Sequence, residues 1–151
     1  MTDPEKAIMR KDSRLSRVLH VLIHLDLFDQ PTTSDKLAKM LMTNAVVVRR
    51  TMALLRDQGY VQSAKGHNGG WTLSRNLSDI TLLDVHQALG DSSVFTIGLT
   101  DEHTNCAIEH AVNNALQDVM NEAEALMLRR FGDITLAELG KGFSLGTKLE
   151  K

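Results

Sequence analysis

Apolar side chains recur at intervals of three and four along much of the chain, the spacing that gives a helix one buried face. In the first such stretch Leu15, Val18, Leu19, Leu22 and Ile23 form a stripe on a helix that Ser13 caps and that runs to about Leu27, with Arg14 and Arg17 facing away. Gln30-Pro31-Thr32-Thr33 breaks the pattern as a turn. Thr33 or Ser34 then caps a short second helix, Asp35–Leu41, with Leu37, Ala38 and Leu41 inward. Met42-Thr43-Asn44 is a tight turn, and Thr43 or Asn44 caps a third helix. On that helix Val48, Thr51, Met52 and Leu55 share one side, while Val46, Arg49, Arg50 and Ala53 share the other. Gly59 stops it.

Two strand-like runs follow, Tyr60–Ala64 and Trp71–Arg75, joined by Lys65-Gly66-His67-Asn68-Gly69-Gly70. Glycine and asparagine tolerate positive φ, so this loop reverses the chain. Gly66-His67-Asn68-Gly69 also fits the Gly-x-x-Gly clamp of an RNA-binding module, but that clamp lies between two helices. No Gly-Lys-Ser/Thr follows, which excludes a phosphate loop. Trp71 is expected to anchor the hairpin on the third helix rather than to stack on a base. Two helices joined by a short turn, the second basic, followed by a glycine-tipped hairpin, describe a winged helix-turn-helix.

Beyond the hairpin, Asn76–Ile80 is a linker and Thr81-Leu82-Leu83-Asp84 resembles a capping box. It opens a helix running to about Leu89 and stopped by Gly90, with Leu82, Val85 and Leu89 toward the winged-helix core. Asp91–Asn105 is polar, with Phe95, Ile97 and Leu99 alternating, and reads as a flexible loop or a short edge strand. From Cys106 to about Arg130 runs the longest helix pattern. Its apolar stripe includes Ile108, Val112, Ala115, Leu116, Val119, Ala123 and Leu126, wider than a surface helix of a small monomer needs, so these residues are candidates for pairing with a second copy. Packing on its own domain is the ordinary alternative. Gly132 is expected to end this helix, and Thr135-Leu136-Ala137-Glu138 to cap a last short one. The expected fold is therefore mainly α with a small β-hairpin wing. Residues 13–80 form the winged helix-turn-helix, 81–140 the linker helix, variable loop and dimerisation helix, and 1–12 and 141–151 flexible ends.

Charge changes this picture. The formal net charge of −2 speaks against a polyanion-binding protein taken whole. Residues 1–75, however, hold 12 Lys/Arg against 7 Asp/Glu, and residues 76–151 hold 5 against 12. A basic half on an acidic chain is the asymmetry of a protein that meets a polyanion at one end. The predicted partner is double-stranded DNA. The third helix presents two arginines beside small side chains to a major groove, and Lys65 at the hairpin reaches a minor groove. Ser34 and His67 join the candidate contacts, and Arg14 and Arg17 are either phosphate contacts or part of a solvated face. One cysteine, Cys106, excludes an intrachain disulfide and fits a reducing, cytoplasmic setting. The polar start MTDPEKAIMRKDSR has no signal-peptide core, and the tract Val18–Phe28, interrupted by His20, His24 and Asp26, is too short to span a bilayer. No oxyanion motif, phosphate loop or paired carboxylates surround Cys106 and His110, so an enzyme is not expected.

Several stretches together resemble the Rrf-two (Rrf2) family of bacterial transcription regulators, which includes IscR, NsrR and CymR. They are Thr43-Asn44-Ala45-Val46-Val47-Val48-Arg49-Arg50, Leu55-Arg56-x-x-Gly59-Tyr60-Val61, Gly69-Gly70-Trp71-x-Leu73, Ile80-Thr81-Leu82-Leu83-Asp84-Val85 and Thr135-Leu136-Ala137-Glu138-Leu139. The similarity covers roughly residues 13–140, and its most specific part is the Gly-Gly-aromatic wing followed by Ile-Thr-Leu-Leu-Asp-Val. The resemblance implies a homodimeric winged-helix repressor that reads a palindromic operator and pairs through its long C-terminal helix. It implies base reading by Thr43, Asn44, Val46, Val47, Arg49 and Arg50, and a wing cation at Lys65, where the family usually has arginine. Lysine keeps the charge but lacks the planar fork.

The sensor branch of that family holds a two-iron cluster with three cysteines before and at the start of the long helix. This chain has Cys106 alone, so no cofactor is expected, and the likeness is to cluster-free members with Asn105-Cys106 at this point. Three readings of Cys106 stand side by side. At a helix N-terminus it is a candidate redox sensor. With His103 and His110 it is a candidate zinc ligand. Otherwise it is a small buried residue without chemistry. The operator and any small-molecule effector are not legible.

Overall fold

The computed structural model describes residues 4–28, 30–67, 69–90 and 106–141. Helix α1 spans Pro4–Leu27 and so begins well before Ser13, which lies inside it instead of capping it. Proline suits a first helical turn, and Glu5, Lys6, Ala7, Met9, Arg10 and Lys11 are all good helix formers, so the lead-in is helical from Pro4 onward instead of frayed. The buried line of α1 is Val18, Val21, Leu22 and Leu25, with Leu15, Leu19 and Ile23 at its edge. The stripe read from the sequence was thus turned slightly to one side of the true inner face.

Helix α2 is Ser34–Met40, capped by Thr33, whose Oγ1 accepts from Lys36 N at 3.2 Å. Helix α3 is Ala45–Asp57, capped by Asn44, whose Oδ1 accepts from Val47 N at 3.0 Å. Thr43 N donates to Ala38 O at 2.9 Å and closes the turn between them. Met42, at the crown of that turn, takes φ 54° and leaves its side chain 92% exposed. On α3 Val48, Met52 and Leu55 are buried and Thr51 is half-buried. Gly59, at φ 81°, ends the helical run in the left-handed conformation that a side chain disfavours.

Strands β1 (Val61–Ala64) and β2 (Gly70–Leu73) pair antiparallel in the register Val61 with Leu73 and Ala64 with Gly70. A two-stranded hairpin is marginal alone, and here it has a third partner. Thr32 N donates to Trp71 O at 3.0 Å, and Trp71 N donates to Thr32 O at 2.8 Å. The indole is buried and its Nε1 donates to Ser34 Oγ at 2.9 Å. Trp71 is a core anchor as expected, but its hydrogen bonds tie the wing to the start of α2 and not to α3. Gly70 is required at this crossing, because a Cβ there would lie 2.6 Å from the Thr32 carbonyl carbon at a φ of +145°.

The linker holds a 3-10 turn, Leu77–Asp79, and leads to helix α4, Leu82–Ala88. The capping box is complete: Asp84 N donates to Thr81 Oγ1 at 3.1 Å, and Thr81 N donates to Asp84 Oδ2 at 2.9 Å. Helix α5 spans Ala107–Asp133 with Cys106 at its N-cap. It passes through Gly132, which therefore does not end it. The helix runs one residue past it to Asp133, and a Cβ at Gly132 would meet Leu83 Cδ2 at 3.5 Å, an ordinary van der Waals contact. The chain then folds back. Leu82 N donates to Ile134 O at 3.0 Å, Leu136 N donates to Ile80 O at 2.9 Å, and the fully buried Leu136 opens a last helical turn over 136–141. A single core, including Leu22, Leu37, Met52, Leu55, Ile80, Val85 and Leu136, joins these pieces. The expected loop or strand over 91–105, the 1–3 start and the 142–151 tail lie outside the described residues. Among the described residues no helix is long and apolar enough to cross a membrane.

Two substitutions test this reading by thermal or urea unfolding. Met42→Gly relieves a left-handed side chain that packs on little, and should stabilise by about 0.5–1 kcal/mol. Gly70→Ala forces the Thr32 crossing apart and should destabilise by about 1–3 kcal/mol; a neutral outcome would show that the wing is not held there.

Candidate nucleic-acid interface

With Val48, Met52 and Leu55 buried, the remaining faces of α3 are fixed. Val46 and Val47 are 52% and 45% exposed, and Arg49 and Arg50 are exposed beside them. Neither arginine has an ion-pair partner among the described residues; the pair seen there, Arg56 with Asp57 at 3.8 Å, lies at the other end of the helix. Asn44 is exposed and uses its carbonyl oxygen as the cap, which leaves its amide N–H groups free to donate outward. Thr43 is half-buried at the same end. This surface therefore combines guanidinium donors, an amide donor and two branched apolar side chains. Those are the groups that read guanine, other base edges and the thymine methyl in a major groove.

The hairpin tip places Lys65 and His67 in solvent, while Asn68 lies outside the described residues. Ser34 stands apart from the other candidates, since its hydroxyl is half-buried and accepts from Trp71. Its first task is to hold the wing, a role signalled along the chain only by an indole that needs an acceptor when buried. Arg14 and Arg17 are both exposed on α1. Arg14 Nη1 donates to Leu89 O at 3.3 Å, where the chain leaves α4, so it is partly committed within the molecule. Two electrostatic shifts flank this region. Burial, then the neighbouring His20, hold the His24 imidazole below its ordinary value. Burial and Asp84 push the Tyr60 phenol up, against the pull of Arg75, whose guanidinium lies 5.5 Å from its ring centre.

A feature missed in the sequence is a cavity of about 220 Å³ between α1 and α3, lined in part by Arg14, Arg17, Thr43, Val47 and Thr51. Its signal was present only as small β-branched residues on two facing helices.

The pairing candidates fall on one continuous face of α5. Ile108 and Val119 are 76% and 65% exposed, Val112, Ala115, Leu116 and Leu126 are exposed as well, and Ala123 is half-buried. No residue of α5 is buried.

Comparison with known proteins gives consistent matches. The profile of the Rrf2 family, described as an iron-dependent transcriptional regulator, matches residues 12–142. The protein rrf2 of Nitratidesulfovibrio vulgaris is 28% identical over 120 residues, 80% of this chain and 78% of that one. YwnA of Bacillus subtilis, named for a helix-turn-helix transcriptional regulator, is 27% identical over 128 residues, 85% of this chain and 95% of its own length. Among solved structures, IscR of T. potens has a TM-score of 0.62 at 21% identity, with 87% of this chain and 84% of that one covered. CymR of B. subtilis has a TM-score of 0.61 at 19% identity, with 87% and 93% covered. At such identities these structures speak to the fold alone.

The residues present do not fit the iron of that family description. Cys106 is the chain's one thiol, half-buried at the N-cap of α5, and an iron–sulfur cluster needs several. Among the described residues no group of three His, Cys, Asp or Glu side chains gathers to hold a metal ion; His103 lies outside them. Since the family profile spans residues 12–142, the chain belongs to the Rrf2 family of transcriptional regulators, which are not enzymes.

Proposed function

We propose that this protein is a homodimeric, sequence-specific DNA-binding repressor that works without an iron–sulfur cluster, in the cytoplasm, on a palindromic operator. Each subunit lays α3 in a major groove and its Lys65 hairpin in the flanking minor groove. The observation that carries the reading is the outward face of α3: Arg49 and Arg50, exposed and without an ion-pair partner among the described residues, beside Asn44, Val46 and Val47. A two-fold protein places its reading helices about one helical turn apart, roughly 34 Å, on a two-fold site. The exposed apolar line of α5 supports the pairing, since a helix of 27 residues without one buried side chain has its apolar face in water in the single chain.

Two measurements test this. Duplexes selected from a random pool should bind with an affinity that falls steeply with salt. Arg50→Ala should weaken binding about tenfold or more with an unchanged circular dichroism spectrum. Unchanged affinity removes α3 from the groove. In sedimentation the protein should run at twice the chain mass, and Val112→Glu with Val119→Glu should return it to one. A monomeric parent would end the two-fold reading.

A further inference from the structure

The cavity between α1 and α3 has a charged mouth and an apolar floor. Arg14, Arg17, Thr43 and Thr51 supply guanidinium and hydroxyl groups at its rim, while Val21, Val48 and Met52, all part of the buried core, form the bottom. No carboxylate among the described residues lines it. Its volume of about 220 Å³ lies a little below the range of about 300–1,000 Å³ usual for small-ligand pockets. That is room for a small organic molecule and not for a peptide. Arg14 is held by Leu89 O, but Arg17 is exposed and makes no hydrogen bond or ion pair among the described residues. A concave, mostly apolar pocket with a few convergent donors is the usual form of a small-ligand site.

We propose that this cavity binds a small organic acid, its carboxylate on Arg17 and the rim hydroxyls, its hydrocarbon tail on the apolar floor. A molecule with a carboxylate head and a hydrocarbon tail matches both the Arg17 rim and the apolar floor. The lining includes Thr43 and Val47, which also belong to the reading face of α3. Acid and DNA therefore compete for the same mouth, and the acid acts as an inducer by exclusion. This last step rests on the DNA-binding reading, while the pocket itself does not.

The test uses the full chain at constant ionic strength. Hexanoate, acetate and 1-hexanol are titrated by calorimetry and thermal shift. Hexanoate should bind saturably, at least tenfold more tightly than acetate (head without tail) or hexanol (tail without head). Arg17→Gln, at an exposed position that leaves the fold intact, should weaken hexanoate about tenfold and leave hexanol unchanged. Hexanoate at about ten times its own dissociation constant should raise the apparent dissociation constant for a selected duplex about tenfold, as competition for one mouth requires. Absence of saturable hexanoate binding overturns the pocket. Equal binding of hexanol, or of hexanoate to the Arg17 variant, overturns the anion site. Saturable binding without any change in DNA affinity overturns the competition. If no duplex binds even without hexanoate, the DNA reading fails, and the titrations still decide the pocket.

Discussion

The burial of one side of α3 is the constraint on which the rest depends. Val48, Met52 and Leu55 sit in the core, and each such side chain contributes about 1.5–3 kcal/mol when removed from water. Turning the helix to bury Arg49 or Arg50 instead would strand a charge in apolar surroundings, a far larger cost. The rotation of α3 is therefore decided by its inner face, and the outer face inherits its composition from what the core cannot accept. Asn44 fixes where the helix starts, so the first exposed turn is the one at the tip. Position and orientation of the reading surface thus follow from three apolar residues and one cap.

The hairpin is held by a different device. Its own ladder is four residues long on each side, too little to persist alone. Thr32 extends it by a two-bond bridge, Gly70 permits that crossing, and the buried Trp71 indole reaches Ser34. All three contacts lie at the entrance to α2. The wing is consequently coupled to the helix that precedes the turn, and α2 becomes the common support of the hairpin and of the turn into α3. Weakening the Thr32 crossing should disturb the hairpin while the core packing of α3 stays.

Much of this was legible because local chemistry and periodicity agreed. The Thr81–Asp84 capping box, the Gly59 stop and the two faces of α3 each rest on neighbours within a turn, and the structure has them. What failed depended on partners distant in sequence. Gly132 looked like a helix stop, yet α5 continues to Asp133 and ends where Leu82 N, at the start of α4, donates to Ile134 O. Ser13 looked like a cap, but good helix formers on both sides carried α1 past it. Val21 and Leu25 lie off the predicted stripe of α1 because its inner face is set by packing against β2 and α4, both distant in sequence. Ser34 and the α1–α3 cavity could not be read at all, since each needs two elements brought side by side.

The proposed pairing through α5 and the charge division of the chain bear on one another. Residues 76–151 hold 12 acids against 5 bases, and α5 carries Glu109, Asp118, Glu122 and Glu124. Such a helix repels a duplex, so its exposed apolar line is poorly suited to the phosphate backbone and better suited to another apolar helix face. The basic first half has the opposite bias. In the proposed pair the acidic halves come together at some like-charge cost, which the apolar line must offset, and the basic first half of each copy is the part that attracts a polyanion. Electrostatics then selects the approach that the packing of α3 has already prepared.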